Sequence, residues 1–118
     1  MFRIEKTKKF SEDMKILTTE SQKKVEKKVN EILIFNPYRY EALEGNLFKG
    51  IRKMRMGVKE FKNGVRILYT VCEDCNEYSH SLCEKLRETC NFSGNGVVKL
   101  LRMKPRTDDT YTHRSIFG

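Results

Sequence analysis

Cationic and apolar residues alternate with a two-residue period along Ile51–Val71, IRKMRMGVKEFKNGVRILYTV. Arg52 and Lys53 open the run; Met54, Met56 and Val58 then alternate with Arg55 and Lys59. That period is the mark of a strand with one apolar face and one wet, cationic face. The Asn63-Gly64 pair predicts a hairpin turn, because tight hairpin turns need positive φ at both central residues. Beyond it Val65, Ile67, Tyr69 and Val71 share one face, and Arg66, Leu68 and Thr70 share the other. An arginine among β-branched and aromatic residues costs stability unless it meets solvent or an anion. Arg66 is therefore the leading candidate for a functional residue.

The rest of the chain reads as a strand, two helices and a closing strand. Met1–Lys6 predicts a short strand carrying Phe2 and Ile4. Phe10, Met14 and Leu17 fall at i, i+4 and i+7, on one face of a short helix. Thr19 and Gln22 have capping-box spacing and predict the start of a second helix. Val25, Val29, Ile32 and Leu33 form its apolar stripe, with Lys23, Lys24, Lys27 and Lys28 as a wet flank. Asn36-Pro37 is expected to end it, since proline disfavours helical geometry in the residue before it. Tyr38–Gly50 reads as a loop turning at Gly45-Asn46, and Val97–Met103 (VVKLLRM) as the final strand.

Composition narrows the function. At 118 residues the chain is expected to be a single domain over 1–118, long enough for a modest core. Its 24 Lys and Arg against 16 Asp and Glu leave a formal charge of +8, which points to a polyanionic or acidic partner. No apolar run approaches the roughly 20 residues of a bilayer span, so no membrane partner is expected. The segment MFRIEKTKKF lacks the apolar centre of a secretory signal, so the expected location is cytoplasmic.

These pieces together carry a resemblance. Asn36-Pro37 after the second helix, LEGNLFKGIRKMRMG (Leu43–Gly57), GVRILYTV (Gly64–Val71) and LLRMKPRTDDTY (Leu100–Tyr111) stand in an order that resembles the RelE/ParE toxin superfamily. The long hairpin carrying KNG looks more like the HigB-type branch. The resemblance covers most of the chain. It implies an α+β, RelE-like fold: two N-terminal helices packed on a small twisted antiparallel sheet. It also implies a toxin of a toxin–antitoxin pair, with a cognate antitoxin as partner. RelE-like members cleave mRNA in the ribosomal A site without a metal cofactor, by attack of a ribose 2′-OH on the adjacent phosphodiester. ParE-like members instead inhibit DNA gyrase, and a degenerate member would only bind its antitoxin. Cleavage needs cations around the charged transition state and groups that move protons.

By the resemblance, Lys53 and Arg55 match the basic strand positions that hold RNA, with Arg52 and Lys59 as flanking RNA-binding cations. Arg66 matches the arginine on the reacting phosphate. Arg106 or Arg102 matches the basic residue near the end of the last strand. Tyr111 matches a C-terminal tyrosine that orients RNA, and His113 a histidine suited to proton transfer. The catalytic set expected is Arg66, Arg106, Tyr111 and Lys53. Each also has a structural alternative: Lys53 and Arg55 as a solvated face, Arg66 paired with Glu60 or Glu73, Arg106 as a follower of Pro105, and Tyr111 in a core or interface.

Residues 72–96, CEDCNEYSHSLCEKLRETCNFSGNG, depart from the family as a Cys-rich helical insertion, and residues 104–118 form a basic tail. The insertion holds Cys72, Cys75, Cys83 and Cys90. Cys83 and Cys90 on one unbroken helix would lie about 10 Å apart along its axis, too far to share one zinc ion. Three states stay open: nested disulfides Cys72–Cys90 and Cys75–Cys83, a structural zinc on Cys72, Cys75, His80 and Cys83, or thiols. Disulfides are unusual in the cytosol. Other enzyme classes find little support. Gly94-Asn95-Gly96 precedes a strand rather than a helix, Asp108-Asp109 sits in a basic tail, and no Ser–His–acid set stands out.

Overall fold

The computed structural model describes residues 2–43, 50–72 and 96–106. Six elements follow in order: β1 (Arg3–Lys6), α1 (Lys8–Met14), α2 (Thr19–Ile32), β2 (Ile51–Val58), β3 (Phe61–Val71) and β4 (Val97–Pro105). The strands form one sheet in the order β1-β4-β3-β2. Both hairpin partners are antiparallel, β2 with β3 and β3 with β4, but β1 runs parallel to β4. The sheet is therefore mixed, not antiparallel throughout. Side-chain alternation reports which face is buried but carries no strand direction, so a long-range pair leaves no such mark.

The helices begin where short polar side chains can satisfy free amides. Thr7 caps α1, its hydroxyl accepting from Phe10 N. Leu17 lies past the end of α1, yet it is buried with Phe10 and Met14. The cap of α2 is Thr18, one residue before the expected start, and Thr18 Oγ1 accepts from Ser21 N. Gln22 does not close a capping box; its amide donates to Leu17 O. Glu60, from the turn between β2 and β3, takes that place. Its carboxylate accepts from Thr18 N at 2.8 Å and from Ser21 Oγ at 2.6 Å. These bonds, the one from Ser21 first, hold the Glu60 pKa below the usual carboxylate value. The helix ends at Ile32, before Asn36-Pro37, and Leu33, Phe35 and Asn36 amides close its last turn.

The hairpin turn is Lys59-Glu60, between the paired Val58 and Phe61. Asn63-Gly64 instead lies inside β3, at a bulge that sets Lys62–Gly64 against Gly57. Gly64 has φ +76°, while no described residue other than glycine has positive φ, so Asn63 could not complete a primed turn. A Cβ at Gly64 would come 2.3 Å from Met56 O. Asn-Gly signals left-handed backbone, which a bulge uses as readily as a turn.

Both sheet faces are occupied. On one, Phe10, Met14, Val25, Val29 and Leu33 pack against Met54, Ile67, Tyr69 and Leu100. Burying each such aliphatic side chain contributes about 1.5–3 kcal/mol. Tyr69 Oη donates to Pro37 O at 2.6 Å and anchors the chain after α2 to the sheet centre. On the other face Ile51, Leu68, Thr70 and Leu101 are buried. There Lys99 is only 3% exposed and pairs with Glu5 of β1 at 2.9 Å. Past the end of β1, side chains continue the edge of β4. Thr7 Oγ1 donates to Leu101 O, and Asp13 accepts from Met103 N.

Candidate nucleic-acid interface

Cations gather on the second face where it nears the hairpin turn. Arg55 of β2 lies opposite Arg66 of β3, and Arg66 lies opposite Lys104 of β4. Directly opposed residues share a face with Cβ atoms about 4.5–5.5 Å apart. Arg55, Arg66 and Lys104 thus form one rung of three cations across three strands, with Arg55 exposed and the other two half-buried. In the next rung Lys53 faces Leu68, and Leu68 faces Arg102. Arg106 follows β4 and donates its amide to Gly64 O at 2.9 Å, fixed beside the bulge.

Like charges on adjacent strands repel, so the rung costs stability and offers a strong anion site. Lys104 also carries a cost of its own, from burial and from a neighbour outside the rung. Burial, then the Arg102 charge, lower its pKa from the ordinary lysine value; Asp13 opposes them and Lys9 adds to them. A lysine shifted this way exchanges its proton more readily than an ordinary one.

The other expected cations divide. Arg102 makes a bidentate pair with Asp13, Nε to Oδ2 at 2.7 Å and Nη2 to Oδ1 at 2.9 Å, and is 14% exposed. That pair fixes β4 to α1. Arg52 lies over the Tyr38 ring at 5.1 Å and donates to Tyr40 O at 2.8 Å, so it too holds structure in place. Lys59 pairs with Glu20 at 3.1 Å, at the start of α2. Glu60 is committed to α2 and is not the partner of Arg66. Glu73, Tyr111, His113, Cys75, His80, Cys83 and Cys90 lie outside the described residues. Cys72 is buried at the end of β3. Among the described residues no three His, Cys, Asp or Glu groups come together as metal ligands would. None of the described helices is long and apolar enough to cross a membrane.

Two features escaped sequence reasoning. One is Lys104. Unbroken alternation along β4 would put Arg102 and Lys104 on the core face with Val98 and Leu100. A register shift next to Leu101 moves both to the other face and leaves Met103 in the core. Two charges in phase with core residues were the available signal of that bulge. The other feature is an open groove of about 320 Å³ beside β2, lined by Arg39, Tyr40, Glu41, Lys53 and Arg55. Hydrogen bonds from Lys53 N to Glu41 O and from Leu43 N to Ile51 O build its wall.

No family model matches this chain, and no curated protein matches it. Among solved structures it is similar to a chain of the toxin–antitoxin complex RelBE2 from Mycobacterium tuberculosis. The TM-score is 0.59 at 18% identity, covering 89% of this chain and 98% of that one. The likeness shows a shared α+β fold; the α+β class is as the resemblance implied, the mixed sheet is not.

Proposed function

We propose that this chain is the toxin of a toxin–antitoxin pair and a ribosome-dependent mRNA endonuclease. The observation that carries the reading is the rung Arg55–Arg66–Lys104 on one sheet face, with Lys53 beside it. Three cations on adjacent strands suit the charge that builds on a phosphodiester under attack. The fold shared with a chain of a toxin–antitoxin complex supports the choice of family.

In this reading a ribose 2′-oxygen attacks the adjacent phosphorus, and the bond to the 5′-oxygen breaks. The products are a 2′,3′-cyclic phosphate and a 5′-hydroxyl. Arg66, flanked on both sides, stabilises the non-bridging oxygens. Arg55 and Lys53 hold the backbone, and Arg106 flanks the phosphate from beyond β4. The proton leaving the 2′-hydroxyl and the proton reaching the 5′-oxygen need a group with a tuned pKa. Lys104, with its lowered pKa, is the best described candidate. Tyr111 orients the RNA, and His113 is a second candidate for proton transfer. The antitoxin is an acidic, amphipathic segment that folds onto this chain, a partner that a charge of +8 suits.

Primer extension on mRNA held on ribosomes tests the reading. The intact protein should cut within A-site codons, and Arg66→Ala should slow cutting by about a hundredfold, the usual loss for one such stabilising group. An intact, folded protein that leaves ribosome-bound mRNA whole would overturn it, and gyrase supercoiling would be the next assay.

A further inference from the structure

The groove beside β2 joins three kinds of group that a single-stranded nucleotide requires. Tyr40 offers an aromatic surface, Arg39, Lys53 and Arg55 offer cations, and Glu41 is the one acid among the described lining residues. The wall is fixed before any ligand arrives. Arg52 clamps it through Tyr38 and Tyr40 O, Lys53 N bonds Glu41 O, and Ala42 bridges to Arg52. Arg39 already lies over the Tyr40 ring at 5.8 Å. The groove also shares Arg55 with the three-cation rung, so a strand whose phosphate sits on Arg66 runs directly into it.

Resting on the endonuclease reading, we infer that this groove is a nucleobase subsite that selects guanine in the RNA strand. Bases splayed from single strands are held by stacking on aromatic rings and read along their Watson–Crick edges. A carboxylate is an acceptor only, so it selects bases with donors on that edge. Guanine presents two adjacent donors, N1–H and the N2 amino group, which pair with both oxygens of Glu41. Cytosine and adenine present one amino group each, and uracil a single ring N–H between two carbonyls that repel the carboxylate. The cations of the lining hold the flanking phosphates and carry no sequence preference.

Fluorescence anisotropy with uridine oligomers carrying one central G, A, C or U tests this, beside the codon profile on ribosomes. The intact protein should prefer the G-containing oligomer by about tenfold, the lower range for one bidentate base contact. Glu41→Gln should erase that preference, and it should tighten the all-uridine oligomer slightly because an acid leaves a cationic groove. Tyr40→Leu should weaken every oligomer by about tenfold, as loss of one stacked base does, and Tyr40→Phe should restore it. Equal affinity for all four oligomers, or a G preference that survives Glu41→Gln, would overturn the inference. If ribosomal cleavage persists in either case, the endonuclease reading stands without it. A protein that neither binds these oligomers nor cuts mRNA would overturn both.

Discussion

In the proposed endonuclease, Lys104 sets stability against cleavage within a single side chain. It sits opposite Arg66, half-buried, with its pKa lowered by burial and by Arg102. Lys104→Gln should therefore raise the free energy of unfolding slightly, by a few tenths of a kcal/mol for one relieved like-charge contact, while cutting cleavage at least tenfold. The sign follows from linkage. A lysine whose folded pKa is depressed binds its proton less well in the folded chain, so stability rises as pH climbs from the folded value towards the unfolded one near 10.5. The variant should lose that alkaline rise in a series of thermal melts. Arg66 was legible in the sequence because a charge interrupts an apolar alternation. Lys104 was not, because the shift next to Leu101 changes the phase of β4. Arg102 was legible as a cation, but nothing local announces an acid 89 residues away as its partner.

Between elements, the hairpin turn and the start of α2 are a single construction. Glu60 supplies from the turn the carboxylate that a capping box would supply from within the helix. Its pKa is depressed, so its contribution is complete above the unfolded value of 4.5 and is lost as pH falls through the lower, folded value. Melts from neutral to acid pH should show α2 loosening across that window, and Glu60→Gln should flatten the dependence. Thr18 and Thr19 are equally good caps on paper. The choice between them was made by an acid 42 residues downstream, which is why the reading missed by one residue. The hairpin itself was legible from its period; its turn was not, since Asn63-Gly64 fits a bulge equally well.

Across the whole molecule, the pair Glu5–Lys99 ties the first strand to the last. Glu5→Ala removes the carboxylate beside an ammonium that is 3% exposed and should cost up to about 3 kcal/mol, whereas the double change with Lys99→Met, which removes both charges, should cost far less. Urea unfolding of the two variants compares them directly. Both helices and the core faces of β2 and β3 followed from periodicity, and the α+β class from the resemblance, while the phase of β4, the direction of β1 and the groove at Tyr40 and Glu41 did not. Those depend on contacts between segments whose own patterns are silent about each other. The β1–β4 junction also orders assembly in time. Thr7 and Leu101 meet across 94 residues, whereas β2 and β3 are joined by a two-residue turn. Closing the longer loop carries the larger entropic cost, and its contacts stabilise only late in folding. A nascent chain would therefore form the hairpin bearing Arg55 and Arg66 while Lys104 is still unplaced, and the three-cation rung would exist only once synthesis has passed β4.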